Sequence, residues 1–506
     1  MSFADAAKQL ADMTTTWNGA ASHGTTTSAR VDFFSGVLRG TEETRIQELI
    51  SKSFAEDALH TLKIVAYLRD CRGGKGEREA GRRALKWLAT HQPEALKCNL
   101  KHYVSVYGRF DDLLALMDTS VESYALQVYG DQLREDLKNF QDQKPISLCA
   151  KWVPSEKKSA DKKMRINSKL SKSMGITCAE LRKTYLSPLR GNLQLLERFM
   201  CAKDWEKIDF NKVPSVAMHI HGKPNHAFQR HLQDTFQAWK DGLKTGETKV
   251  NASVLFPHQI VQQYYGMYDA MKTEVDSLVE GQWQVQLEKA RELGTLTRTL
   301  VMSDVSGSMS GLPMMVSIAL GILVSEIATD EYKGLVMTFD SNPEFFNVVG
   351  DTLLAKVQCL ANAPWGGSTD FIKALRLIIK LGQDKKLTSE QMPEKLIVVS
   401  DMQFNQADNM FETNYEVLKR EFTEAGYEVP QLIFWNVNGR TTDFPTLSSE
   451  ANVSLISGYS PSVMKAALAG TSLTPFQTML NAILDERYDL ITLPQIDIED
   501  IDMEIV

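Results

Sequence analysis

Apolar and polar positions change rhythm once along this chain, near residue 296. Upstream, apolar residues recur at three- and four-residue steps, most clearly in 45–68, 77–90, 111–116 and 121–140. That spacing lays one apolar stripe along each helix and predicts helices with a single buried face. Turn signals separate the runs: Arg72-Gly73-Gly74-Lys75-Gly76, His91-Gln92-Pro93 and Tyr107-Gly108-Arg109. Successive helices without a strong strand signal predict an all-helical, repeat-like (HEAT-like) domain, although no repeat is visible in the residues themselves. Downstream, short apolar runs at 300–303, 334–339, 396–400, 431–435 and 453–456 alternate with helical stretches such as 313–328 and 371–381. Strands alternating with helices predict a doubly wound, Rossmann-like α/β domain. The chain therefore divides into a loosely ordered polar lead-in (1–30), a helical domain (31–295), an α/β domain (296–489) and an acidic tail (490–506). The tail alternates apolar and acidic residues, so a docked edge strand is the alternative there.

Composition narrows the class without changing this picture. With 506 residues, 43% hydrophobic and 24% charged, the chain has the profile of a soluble multidomain protein. No uncharged apolar run of about 18 residues appears, so no transmembrane helix or membrane partner is expected. The N-terminus lacks a basic-then-apolar leader. Six cysteines, at 71, 98, 149, 178, 201 and 359, show no CxxC spacing. They point to a reducing, cytoplasmic setting and away from a disulfide framework. The net charge of −8 is unevenly spread: 151–190 carries eleven Lys/Arg against three acids, and 485–506 eight acids against one Arg. A basic middle and an acidic end suit different partners, or each other.

Candidate chemistry concentrates at Asp304-Val305-Ser306-Gly307-Ser308-Met309-Ser310, which follows the apolar run Leu300-Val301-Met302. An acid and two hydroxyls at alternate positions, on a turn leaving a buried strand, offer oxygen ligands to a hard cation such as Mg²⁺. Gly307 is expected to give the turn its conformational freedom. The same residues also suit a Ser/Gly-rich turn that binds nothing. Two further loops strengthen the cation reading: Trp365-Gly366-Gly367-Ser368-Thr369-Asp370, and the strand end Val398-Val399-Ser400-Asp401. Ligands collect at the carboxyl ends of parallel strands. Together, D-x-S-x-S, a later Gly-Gly-x-Thr loop and a strand-terminal Ser-Asp resemble the metal-ion-dependent adhesion site of von Willebrand factor A domains. That resemblance implies a site for Mg²⁺, or another divalent cation, built from Asp304, Ser306, Ser308, Thr369 and Asp401. Thr369 is preferred to Ser368 because Ala374-Leu375 follow it at the family's spacing. It also implies one metal position completed by a partner's Glu or Asp.

A helical region followed by an A domain is similar to the Ro autoantigen and its TROVE relatives, which bind structured RNA. The whole chain, from about 18 to 490, resembles a family of that architecture whose function is unassigned. The resemblance rests on Leu68-Arg69-Asp70-Cys71-Arg72-Gly73-Gly74-Lys75-Gly76-Glu77-Arg78, Tyr107-Gly108-Arg109-Phe110-Asp111-Asp112, Lys151-Trp152-Val153-Pro154 and Val213-Pro214-Ser215. By its similarity to the Ro autoantigen the protein is expected to bind RNA as a non-enzymatic ribonucleoprotein component with a Mg-dependent ligand site. Arg69, Arg72, Lys75 and Arg78, and Lys157, Lys158, Lys162, Lys163 and Arg165, are the candidate phosphate contacts, because clustered cations neutralise phosphates. A protein-interaction module without RNA is the alternative. A metal-dependent hydrolase is weaker, because a phosphatase of the strand-end Asp type needs a second acid where Ser306 stands. The Gly73–Gly76 loop lacks phosphate-loop spacing. His219, His221, His226 and His231 cluster without a Cys and with Gly222 and Pro224 between them, which favours polar contacts over zinc.

Overall fold

The computed structural model describes residues 12–265, 271–294, 296–338, 342–361, 370–405, 413–470 and 473–495. Contacts group the chain into two compact units: 1–45, 72–76 and 209–482 in the first, and 46–71, 77–208 and 483–506 in the second. The change of secondary structure at 296 is therefore not where the packing divides. Residues 209–294 are helical as expected, yet they share the first unit with the sheet. The helix Ser277–Arg291 shows why: it buries Leu278, Trp283 and Leu287. Its Trp283 Nε1 donates to Glu326 Oε1 (2.8 Å), and Glu280 accepts the N–H groups of Leu353 and Leu354.

The first unit holds a two-stranded ribbon, β1 (Met13–Thr15) and β2 (Ala21–His23), and a six-stranded mixed sheet. The sheet comprises β3 (Thr299–Ser303), β4 (Leu335–Thr338), β5 (Glu344–Asn347), β6 (Lys395–Ser400), β7 (Gln431–Asn436) and β8 (Val453–Ser457), in the order β5-β4-β3-β6-β7-β8. All neighbours are parallel except the β4–β5 pair. Strands β3, β6 and β8 are buried along their whole length, which is why they read as predominantly apolar runs, with Ser454 the polar interruption in β8. Edge strand β5 has exposed ends and only Phe345-Phe346 between them, so its pattern carried no strand signal. The helix Leu312–Ile327 lies so close to β3 that a Cβ on Gly321 would fall 2.2 Å from Ser303 Oγ.

The expected loose lead-in is packed from residue 12 onward. Thr26 N–H and Oγ1 both donate to Asp32 Oδ1 (2.7 and 2.5 Å), and Thr25 Oγ1 donates to Oδ2 (2.5 Å). This cage, with Ser28 as N-cap, starts the helix Ala29–Gly36 and explains the Thr-rich run before Asp32-Phe33-Phe34. Strand β2 then pairs through His23 with Phe444, each donating to the other's carbonyl (2.9 and 2.8 Å).

The second unit is helical. Its 45–68 pattern is two helices, Glu43–Glu56 and Ala58–Arg69, because Asp57 caps the second by accepting His60 N–H at 2.8 Å. At its centre Asp112, fully buried, accepts Arg69 Nε, Arg82 Nε (both 2.8 Å) and Arg109 N–H (3.0 Å). Neighbouring Asp111 accepts Arg109, Arg78 and Arg82. A Cβ on Gly108 would lie 2.5 Å from Asp112 Oδ2, so the Tyr-Gly-Arg-Phe-Asp-Asp motif admits only glycine there without displacing the carboxylate. The segment after 482 closes on the same unit. Buried Asp70 receives Arg487 and the Tyr488 hydroxyl, and Thr492 N–H donates to Asn99 Oδ1 (2.9 Å). Residues 496–506, the body of the acidic tail, lie outside the described residues.

Candidate metal centre and basic surface

The direction of winding reverses between β3 and β6: the chain builds outward from β3 to β4, and from β6 through β7 to β8. Ligand crevices of open parallel sheets lie beyond the carboxyl ends of the strands at such a reversal. Asp304 and Asp401 are the first residues past those two ends. Asp304 N–H continues the ladder to Val399 O (2.9 Å), and Ser400 Oγ donates to Asp304 Oδ2 (2.6 Å). On the other oxygen, Oδ1 accepts Ser306 N–H at 2.9 Å. The Ser306 and Ser308 hydroxyls lie 3.0 Å apart, and Ser308 in turn bonds the Asp401 carboxylate. Four of the five expected ligands, Asp304, Ser306, Ser308 and Asp401, thus form one hydrogen-bonded cluster. Thr369, with the alternative Ser368, lies outside the described residues.

Electrostatics set this cluster apart from an ordinary turn. Asp304 and Asp401 are 0% and 1% exposed. Burial, and then the neighbouring Asp401 carboxylate, push Asp304 up to about 7 against its donors Ser400 and Ser306. Burial raises Asp401 as well, opposed by hydrogen bonds from Gln403 N–H, Ser308 and Asn438. Two buried carboxylates that each disfavour ionisation, beside two hydroxyls, make a hard-oxygen donor set that a divalent cation would neutralise. Gly307 does not act as expected: it has no positive φ, and a Cβ there would meet nothing within 4 Å. Gly311 supplies the positive-φ backbone instead, at φ 102° before the helix Leu312–Ile327.

The expected basic residues separate into two kinds. Arg69 and Lys75 are 3% and 2% exposed, and this corrects their assignment to a phosphate surface. Arg69 is held by Asp112. Lys75 Nζ donates to the carbonyls of Phe34 and Val37 and to Ser457 Oγ (2.8 Å to Val37, 2.7 Å to Ser457), within the first unit. Arg78 is half-exposed and paired with Asp111 (3.0 Å), while Arg72 is exposed. By contrast, Lys157, Lys158, Lys162, Lys163 and Arg165 are all exposed, around the short helix Ser159–Met164 of the second unit. Of the four histidines, His226 and His231 are exposed. His219 is half-buried with Nδ1 lacking a hydrogen-bond partner, and burial lowers it to about 4. Among the described residues, no three His, Cys, Asp or Glu side chains gather to hold a metal.

Residues 298–487 match the family model "Domain of unknown function (DUF7788)", and residues 16–125 and 173–296 match "Domain of unknown function (DUF2828)". The uncharacterized protein L728 of Acanthamoeba polyphaga mimivirus is 32% identical over 510 residues, spanning 94% of this chain and 88% of the viral protein. The chain belongs to that family. In this DUF2828–DUF7788 protein, the two models meet at 296–298, where the apolar rhythm changes. The DUF7788 segment contains Asp304, Ser306, Ser308 and Asp401, while 126–172, with the exposed basic helix, falls between the two DUF2828 matches. The six cysteines form no disulfide, and no described helix is long and apolar enough to cross a membrane. Sequence reasoning missed Ser400, Gln403 and Asn438, which orient the two carboxylates. Ser400 was legible as part of Ser-Asp; Gln403 and Asn438 gave no signal, because loop residues carry no periodicity.

Proposed function

We propose that this protein is a binding protein whose α/β unit is a von Willebrand A-type domain, and that a divalent cation at Asp304, Ser306, Ser308 and Asp401 captures a carboxylate of a protein partner. The observation that carries this reading is the pairing of two fully buried, mutually repelling carboxylates with two hydroxyls at the sheet's winding reversal. Such a pair raises the free energy of the empty site and favours cation entry. The chemistry is ligation: Ser306 stands where a hydrolase of the strand-end Asp type needs its acid, and its N–H serves as a donor to Asp304. Thr369 completes the ligand set in this proposal. The test is Mn²⁺ titration of the EDTA-stripped full chain, read by water-proton relaxation. One tight site is expected, lost in Asp304→Ala, with relaxation enhancement falling as acetate takes the open position. Unchanged Mn²⁺ binding in Asp304→Ala would overturn it.

A second reading rests on the exposed cations Lys157, Lys158, Lys162, Lys163 and Arg165. Around one short helix they present a dense positive face suited to RNA phosphates in the manner of the Ro-type proteins. This role is compatible with the first, because the two sets of residues belong to different units.

A further inference from the structure

Trp17 is 91% exposed, and among the described residues no other large apolar side chain exceeds Val349 at 58%. It is not on a loose end. Its N–H donates to Gln403 Oε1 (2.6 Å), Asn18 Nδ2 donates to Gln403 O (2.6 Å), and Thr16 Oγ1 donates to Phe404 O (2.7 Å). Gly19 bridges Asn405, and Thr16 N–H closes the turn on Ala20 O (2.9 Å). Gln403 N–H in turn donates to Asp401 Oδ1 at 3.1 Å. Two hydrogen bonds therefore separate the Trp17 backbone from a carboxylate of the candidate metal centre. A fixed backbone thus carries a large, exposed aromatic side chain two hydrogen bonds from that carboxylate.

Trp is among the residues most enriched at the centres of protein interfaces, because it offers a large apolar area with few rotatable bonds. Resting on the cation-dependent reading above, we infer that Trp17 is a second contact of the same site. It selects a protein segment in which the metal-binding Asp or Glu lies next to an aromatic or aliphatic side chain. The cation's positive charge and the partner's carboxylate are complementary, and the apolar neighbour covers the indole. Asp443, which accepts Ser22 Oγ and Gln403 Nε2 (3.1 Å from the latter), adds a further carboxylate beside the turn. A segment that brings one carboxylate to the cation and apolar side chains around it is therefore repelled less than a polyanionic phosphate backbone.

The experiment uses the full chain and an array of heptapeptides with a central Glu or Asp. Flanking positions are either Gly/Ser or Phe/Leu, and binding is measured in Mg²⁺ and in EDTA. Mg²⁺-dependent binding is expected, with Phe/Leu-flanked peptides about ten-fold tighter. Trp17→Ala is expected to remove that ten-fold advantage and keep the weaker Mg²⁺-dependent binding, and Trp17→Phe to restore most of it. Mg²⁺ alone should bind Trp17→Ala as it binds the parent, which shows the site intact. If Mg²⁺-dependent binding occurs without flank preference, or the preference survives in Trp17→Ala, the role of Trp17 is overturned and the metal-site reading stands. If no carboxylate peptide binds in Mg²⁺, both fall. Trp17-dependent binding of a uridine decanucleotide would assign base stacking instead and overturn the protein-partner inference.

Discussion

Replacing Asp304 by Asn separates stability from binding at the candidate centre. Asn keeps the shape: its Oδ1 accepts Ser306 N–H, and its amide donates to Ser400 Oγ, where the carboxylate accepts from it. What disappears is a charge that burial and Asp401 oppose. In the metal-free protein Asp304 sits at about 7 against an ordinary 3.8. That rise corresponds to ~4 kcal/mol, an upper figure that structural relaxation reduces. An acid whose folded pKa is raised binds its proton more tightly in the folded state. Its contribution is neutral below pH 3.8, becomes progressively destabilising as pH rises toward 7, and is fully destabilising above 7. In EDTA at pH 8, Asp304→Asn should therefore be more stable than the parent, by about 2–4 kcal/mol in urea unfolding. At pH 4 the two should be nearly equal. Adding Mg²⁺ at pH 8 should stabilise the parent and leave Asp304→Asn unmoved. Destabilisation of Asp304→Asn in EDTA at pH 8 would refute the argument, because it would make Asp304 a structural carboxylate.

Asp112→Ala leaves Arg69 buried without its carboxylate and should cost about 3–5 kcal/mol in urea unfolding; a loss below ~1 kcal/mol, as expected for an exposed pair, would show the network to be solvated. Buried His258 is held down to about 3 by burial, then by Arg39 and His219. Its neutral form belongs to the folded state, so stability should fall by up to ~1.4 kcal/mol per unit as pH drops below 6.5, and His258→Gln should flatten that slope; an unchanged slope would contradict it. Reversing Lys162, Lys163 and Arg165 to Glu should weaken RNA binding and flatten its salt dependence by roughly 0.7 in log–log slope per lost phosphate contact; a chain with no RNA affinity at low salt removes the second reading.

How legible the molecule was in its sequence depended on the kind of force involved. The sheet's five parallel strands announced themselves, since strands covered on both faces are mostly apolar, whereas the fully buried β2 did not. Asp304, Ser306, Ser308 and Asp401 were legible because strand ends place side chains at fixed positions, and the structure brings them together. What failed was the inference from charge to surface. Arg69 and Lys75 look like phosphate ligands in sequence, yet their partners, Asp112 in one case and the carbonyls of Phe34 and Val37 in the other, lie some 40 residues away along the chain. No local pattern encodes such pairing. The packing of 12–30 was equally hidden, because its bonds go to Gln403, Phe404 and Phe444.

A divalent cation is proposed between the ends of β3 and β6. Crystals of the full chain soaked in Mn²⁺ would reveal it through anomalous difference density. A peak is expected bonded to the hydroxyl oxygens of Ser306 and Ser308, with Asp304 and Asp401 completing the shell directly or through water. A map with no peak there at saturating Mn²⁺, or with Asp304 and Asp401 facing away from the metal, would contradict it.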